Sequence, residues 1–124
     1  MATKDLGKTS TGMEANVAAL VSYALGWITG LVFFIIEKDN KFVRFHALQS
    51  IVVFGALSVL GIAISIIFKI FLMLRLYFLF QFITLVSNLI WLAALILWII
   101  LMIKAYQGEK FKLPVAGDIA EKNS

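Results

Sequence analysis

Three apolar runs, each about as long as a membrane is thick, constrain this chain more than any other feature. VAALVSYALGWITGLVFFII covers residues 17–36, ALQSIVVFGALSVLGIAISIIF covers 47–68, and FITLVSNLIWLAALILWIILMI covers 82–103. None of them contains a charged residue. Twenty helical residues rise about 30 Å, the thickness of a bilayer's hydrocarbon core. A chain of 124 residues is one domain. With 62% hydrophobic and 15% charged residues, it is too small to hide its apolar surface from water. The reading is an all-α integral membrane protein.

The segment between the second and third runs is ambiguous. Residues 70–81 follow Lys69 and are apolar apart from Arg75 and Gln81. They are too short to span alone, and a span beginning there would place Arg75 in hydrocarbon. The sequence therefore predicts three transmembrane helices plus a short interfacial or re-entrant segment over 70–81, with Arg75 snorkelling and Tyr77 at the headgroups. Four spans are the alternative. A polar N-terminal tail (1–16) and a tail over 104–124 complete the single domain, with Gly108 as a helix stop and Pro114 as a breaker. The first run is too long for a signal-peptide core and is expected to remain as a span.

Net charge is +4. The basic residues sit in tails and connections, which points to a membrane surface rather than to nucleic acid. In the three-span arrangement Lys4, Lys8, Lys69 and Arg75 share one side. Lys38, Lys41, Arg44, Lys104, Lys110, Lys112 and Lys122 share the other. The positive-inside rule then puts the first connection and the C-terminal tail in the cytoplasm and the N-terminus outside. Phe42 and Phe45 are expected at the interface.

Few residues offer chemistry. There is no cysteine and one histidine, so neither a thiolate site nor a protein-only zinc site is expected. No catalytic or cofactor-binding group stands out. Glu37 and Asp39 read as solvated charge in a turn. His46, Gln49 and Ser50 share one helix face, at i, i+3 and i+4. With Arg44 close by and Asn88 inside the third run, they form the candidate functional polar face. Such a cluster can bind an anionic lipid headgroup, a peptide or an ion; interfacial side chains bonded to their neighbours are the simpler reading. Small residues mark helix contacts: Ala18, Ser22, Gly26 and Gly30 on the first run, and Ser58, Gly61 and Ser65 on the second. Packing within one bundle is the simpler reading of these stripes and homodimerisation the sharper one.

EKDNKFVRFHALQSIVVF and KAYQGEKFKLPVAGDIAEK together resemble a family of small, uncharacterised, multi-pass prokaryotic membrane proteins. That family is described as similar to the Tic protein-import component of the chloroplast inner envelope. The motif residues here are Phe42, Arg44, Phe45, His46, Gln49 and Ser50, then Tyr106, Gly108, Lys112, Pro114, Gly117 and Asp118. The resemblance implies a bacterial or archaeal plasma-membrane protein and supplies no activity. The functional expectation is a non-enzymatic membrane component that associates with itself or with a membrane complex. An oligomeric channel or transporter, import-related by the Tic likeness, is the alternative. No nucleic-acid partner and no cofactor are expected.

Overall fold

The computed structural model describes residues 6–124. Lys4 and the start of the polar N-terminal tail lie outside the described residues. The elements are α1 (Ala15–Ala24), α2 (Trp27–Ile36), α3 (Lys41–Met73), a single 3₁₀ turn (Tyr77–Leu79), α4 (Phe80–Tyr106) and α5 (Ala116–Asn123). Two of them, α3 and α4, are long and apolar enough to cross a membrane.

The first apolar run is not one helix. It is two helices of ten residues each, α1 and α2, which fold back on each other. Gly26 makes the reversal at φ 65°, a conformation that costs glycine nothing and other residues about 1 kcal/mol or more. The direction of α2 follows from its partners on α3. Gly26 lies against Ser50 and Phe54, Gly30 against Ala47, and Phe34 against Arg44. Hence α2 runs antiparallel to α3, and the turn at residues 37–40 joins them. On the other side, α1 runs antiparallel to α4. The Asn16 side chain donates to the Tyr106 carbonyl, and the Trp98 indole N–H donates to the Tyr23 carbonyl at 2.7 Å. Ten residues rise about 15 Å, so this pair reaches only about half of a hydrocarbon core. Apolar length and lack of charge are blind to such a reversal, because both halves of the run face apolar surroundings either way.

The expected interfacial segment over 70–81 is likewise absent as a separate element. Residues 70–73 are the last turn of α3, residues 74–76 form the turn, and α4 begins at Phe80. The turn closes as a Schellman motif. Leu76 N–H bonds the Phe71 carbonyl at 2.9 Å, and Arg75 N–H bonds the Leu72 carbonyl at 3.1 Å. Arg75 takes the left-handed position with φ 57°. The two long helices thus form one hairpin, with Gly61 facing the Trp91 ring.

Packing divides the molecule along the length of this hairpin. At the base, α1 and α2 cover α3 and α4 around a core of Ala18, Ala19, Tyr23, Val43, Ala47, Leu101 and Ala105. Phe42 and Phe45, expected at an interface, are buried there. Toward the closed end only α3 and α4 remain, and Val59, Ile62, Met73, Phe78 and Phe82 stand exposed. The stripe Ala18, Ser22, Gly30 is buried inside the chain. A Cβ on Gly30 would sit 2.8 Å from the Ala47 carbonyl oxygen, which is how closely α2 and α3 approach. Ser58 and Ser65 each donate to a carbonyl of their own helix.

Candidate functional site

The polar face singled out by the sequence is at the base, and it is closed. His46, Gln49 and Ser50 have no solvent exposure. Asn40 caps α3 by accepting from Val43 N–H at 3.1 Å, which starts the helix so that His46 and Gln49 point at α1 and the C-terminal tail. Tyr23 of α1 meets them, also fully buried.

The bonds among these groups run in one direction. Carbonyl oxygens only accept, so His46 Nε2 donates to the Glu109 carbonyl at 2.9 Å. His46 Nδ1 then accepts from the Tyr23 hydroxyl at 2.7 Å. That hydroxyl accepts from Gln49 Nε2 at 3.0 Å, and the same amide donates to the Phe111 carbonyl at 2.9 Å. Gln49 Oε1 accepts Leu113 N–H at 2.9 Å. In the neutral tautomer of His46 every polar atom of the three side chains has a partner, and no donor is left to offer a ligand. Edge-on contacts from Phe42 and Phe45 hold the imidazole in place. The two sequence stretches that carry the family resemblance are therefore one structural unit: the first binds the backbone of the second.

Side chains also bond backbone groups at the Gly26 reversal. Ser50 Oγ donates to the Gly26 carbonyl at 2.8 Å, and Thr29 Oγ1 donates to the Ser22 carbonyl and accepts Leu25 N–H, both at 3.1 Å. Broken helices inside membranes can bind solutes through freed backbone groups; here side chains of the chain itself take up the Gly26 and Ser22 carbonyls and the Leu25 N–H.

Arg44 belongs to a different cluster. It donates to the carbonyls of Phe34, Glu37 and Ser124 and stacks 4.1 Å over the Phe34 ring. Beside it, Glu37 departs from the expected solvated charge. Its side chain is fully covered and accepts from Ser10 N–H at 2.8 Å, Ser10 Oγ at 2.8 Å and Asn40 N–H at 3.1 Å. Burial pushes its carboxyl up, but the bonds from Ser10 and from the backbone of Asn40 and Asp39 outweigh it and hold the carboxyl below its ordinary value. Asn40 Nδ2 also binds the carbonyls of Leu6 and Lys8. In the tail, Lys112 pairs with Glu121 and, at 3.5 Å, with Asp118, which ties the irregular segment before α5 to that helix.

Asn88 is not part of either cluster. It lies near the closed end of the hairpin, where α3 and α4 part to leave a groove of about 330 Å³ lined by Ser65, Phe68, Lys69, Thr84, Ser87 and Asn88. Asn88, Thr84 and Lys69 are exposed. Among the described residues, no three His, Cys, Asp or Glu side chains are placed to hold a metal ion. Sequence reasoning missed Tyr23 and Trp98, and it read the covered Glu37 as solvated charge. Tyr23 reaches the polar face because α1 packs along α4, where the Trp98 indole N–H bonds the Tyr23 carbonyl.

Comparison with known proteins places the chain among membrane proteins. Residues 8–120 match the family model described as the magnetosome magnetite crystal formation protein family. A UPF0132 membrane protein of Methanocaldococcus jannaschii is 49% identical over 119 residues, covering 96% of each chain. A second from that organism is 41% identical over 90% of this chain and 71% of its own length. One from Archaeoglobus fulgidus is 44% identical over 89% of this chain and 95% of its own. The chain belongs to this UPF0132 membrane protein family. These findings do not show the Tic likeness. No solved structure matches the chain.

Proposed function

We propose that this member of the UPF0132 family is a non-enzymatic membrane component that works by lateral association in the bilayer. Helices α3 and α4 cross the membrane, while α1 and α2 enter from one side to about mid-depth and return. The N-terminal segment, the turn at 37–40 and the C-terminal tail then share one side. Among the described residues that side carries Lys8, Lys38, Lys41, Arg44, Lys104, Lys110, Lys112 and Lys122, against Lys69 and Arg75 at the closed end. The positive-inside rule makes it cytoplasmic, a steeper asymmetry than the three-span arrangement gave, and it moves the N-terminus inside.

The observation that carries the association is a ridge on α4. Leu85, Leu89, Leu92 and Ile96, at spacings of four, three and four, are each about half exposed. This a/d-like row projects away from the rest of the chain and suits knob-into-hole packing against another membrane helix. A non-enzymatic role is supported by the saturation of the buried polar cluster. A mineral-forming role, which the family model's description names, would call for acidic ligands facing solvent. The charged side is instead net basic, with eight Lys and Arg against six Asp and Glu among its described residues.

The chain has no cysteine, so single substitutions give clean probes. Leu89→Cys and Leu92→Cys should crosslink to a second copy or a membrane neighbour in native membranes, and Ile66→Cys on α3 much less. Strictly monomeric, uncrosslinked protein at both ridge positions would sink the proposal.

A further inference from the structure

We propose that the groove at the closed end of the α3–α4 hairpin binds one anionic phospholipid, its phosphate at Lys69 and Thr84 and its glycerol linkage at Ser87 and Asn88. The groove is rich in donors and has no acid. Lys69 supplies an ammonium, Thr84 and Ser87 hydroxyls, and Asn88 an amide. Between Asp39 and Glu109 the chain contains no acidic residue, so Lys69 has no counter-ion from its own hairpin. A second copy seated there through its own hairpin would bring none either. The missing charge has to come from another molecule, and charge complementarity selects an anion.

Depth selects which anion. Gly61 packs against Trp91, so in this antiparallel pair Lys69 stands about level with Ile83. Asn88 lies five residues further from the turn, about 7–8 Å deeper. From the turn inward the groove therefore presents a cation and then neutral donors, with Phe68 about level with Thr84 and Ile64 about level with Asn88. A phospholipid headgroup has the same order: charged phosphate, then polar linkage. A free phosphate ion would engage Lys69 and leave Ser87 and Asn88 without a partner in the hydrocarbon, where an unsatisfied amide is costly. The proposal rests on the spanning reading above only in requiring that the hairpin end reach a headgroup layer.

The test uses the full chain, purified in mild detergent and placed in nanodiscs of equal phosphatidylglycerol and phosphatidylcholine. Retained lipid is read by native mass spectrometry. The wild type should keep phosphatidylglycerol in preference, and Lys69→Gln should cut that preference about fivefold. Asn88→Leu should lower retention of both lipids. Lys41→Gln, a cation at the other end, should change neither. Equal retention of the two lipids by the wild type, or retention unchanged in both groove variants, would overturn the proposal. So would displacement of the lipid by millimolar inorganic phosphate. Labelling of Met73→Cys by a membrane-impermeant maleimide separates the two readings. No labelling from either face defeats the spanning arrangement, whereas labelling with unchanged lipid retention defeats the lipid site alone.

Discussion

The base and the closed end of the α3–α4 hairpin treat polar side chains in opposite ways. At the base, His46, Gln49, Ser50, Tyr23 and Glu37 are fully buried, and each is held by named partners. At the closed end, Lys69, Thr84 and Asn88 are exposed along an open groove. Satisfied buried networks fix one arrangement of the chain, whereas polar groups facing hydrocarbon call for a partner from outside. The base therefore satisfies its polar groups from within the chain, whereas the closed end leaves Lys69, Thr84 and Asn88 uncovered.

The sharpest way to break this contrast is to cut the network at its hub. Gln49→Leu strips partners from Leu113 N–H, the Phe111 carbonyl and the Tyr23 hydroxyl at once. Each buried group left unpaired costs about 1–3 kcal/mol. The tail should come off the base, and trypsin should cut at Lys110 and Lys112 in solubilised protein where the wild type resists. A tail as protected as in the wild type would mean that α5, not Gln49, holds it down. Asn88→Leu, a similar change at the open end, should leave the tail protected.

Next in size is a pair of glycines. A Cβ on Gly30 meets the Ala47 carbonyl oxygen at 2.8 Å, whereas one on Gly55 meets nothing within 4 Å. Gly30→Ala should push α2 off α3 and lower the thermal midpoint, at a cost of about 1–3 kcal/mol for overpacking. Gly55→Ala should raise the midpoint slightly, since alanine is favoured in a helix by about 1 kcal/mol. Equal shifts at the two positions would erase the distinction between covered and uncovered parts of α3.

Smaller again is the effect of pH at the base. The Glu37 carboxyl is held below its ordinary value in the folded chain. Its stabilising contribution is thus present above the unfolded pKa and is lost as pH falls through the folded one. Asp39, which accepts from Ser10 Oγ at 3.3 Å, faces the same segment. A spin label at Thr11→Cys should become mobile on acidification below the ordinary carboxylate range. Adding Glu37→Gln should make it mobile at neutral pH and remove most of the acid response. Mobility independent of pH in both proteins would show that Asn40, through Leu6 and Lys8, anchors the segment without Glu37.

The sequence made membrane residence and helical class legible, because each depends on composition or on local spacing. It also paired His46, Gln49 and Ser50 correctly on one face, since that follows from helical periodicity alone. It did not say what that face bonds. The partners are Tyr23, more than twenty residues earlier, and backbone groups of Glu109, Phe111 and Leu113, more than sixty residues later. Backbone acceptors carry no side-chain signature. The reversal at Gly26 was hidden as well, because Gly26 and Gly30 read as a helix-contact pair. The nearest signal was Thr29, a hydroxyl placed to cap the reversal from within the run.

The smallest effect compares two turns of the same kind. Helix α4 ends at the base in a Schellman motif like that of α3, with Gly108 N–H bonding the Ala105 carbonyl at 3.1 Å and Glu109 N–H bonding Lys104 at 3.0 Å. Gly108 holds the left-handed position there with φ 81°, whereas Arg75 holds it at the closed end with φ 57°. A side chain in that conformation costs about 1–2 kcal/mol relative to glycine. Gly108→Arg should therefore lower the thermal midpoint in detergent, and Arg75→Gly should raise it by a few degrees at most. A cation kept where glycine would be more stable suits an end that needs positive charge at a headgroup layer more than it needs stability. Arg75→Gly should accordingly be more stable in detergent yet position the hairpin end less firmly in a bilayer, read as slower labelling of Met73→Cys from the aqueous face. If Arg75→Gly neither raises the midpoint nor alters labelling, the turn does not hold Arg75 in the left-handed conformation, and the contrast between the two ends loses its charge argument.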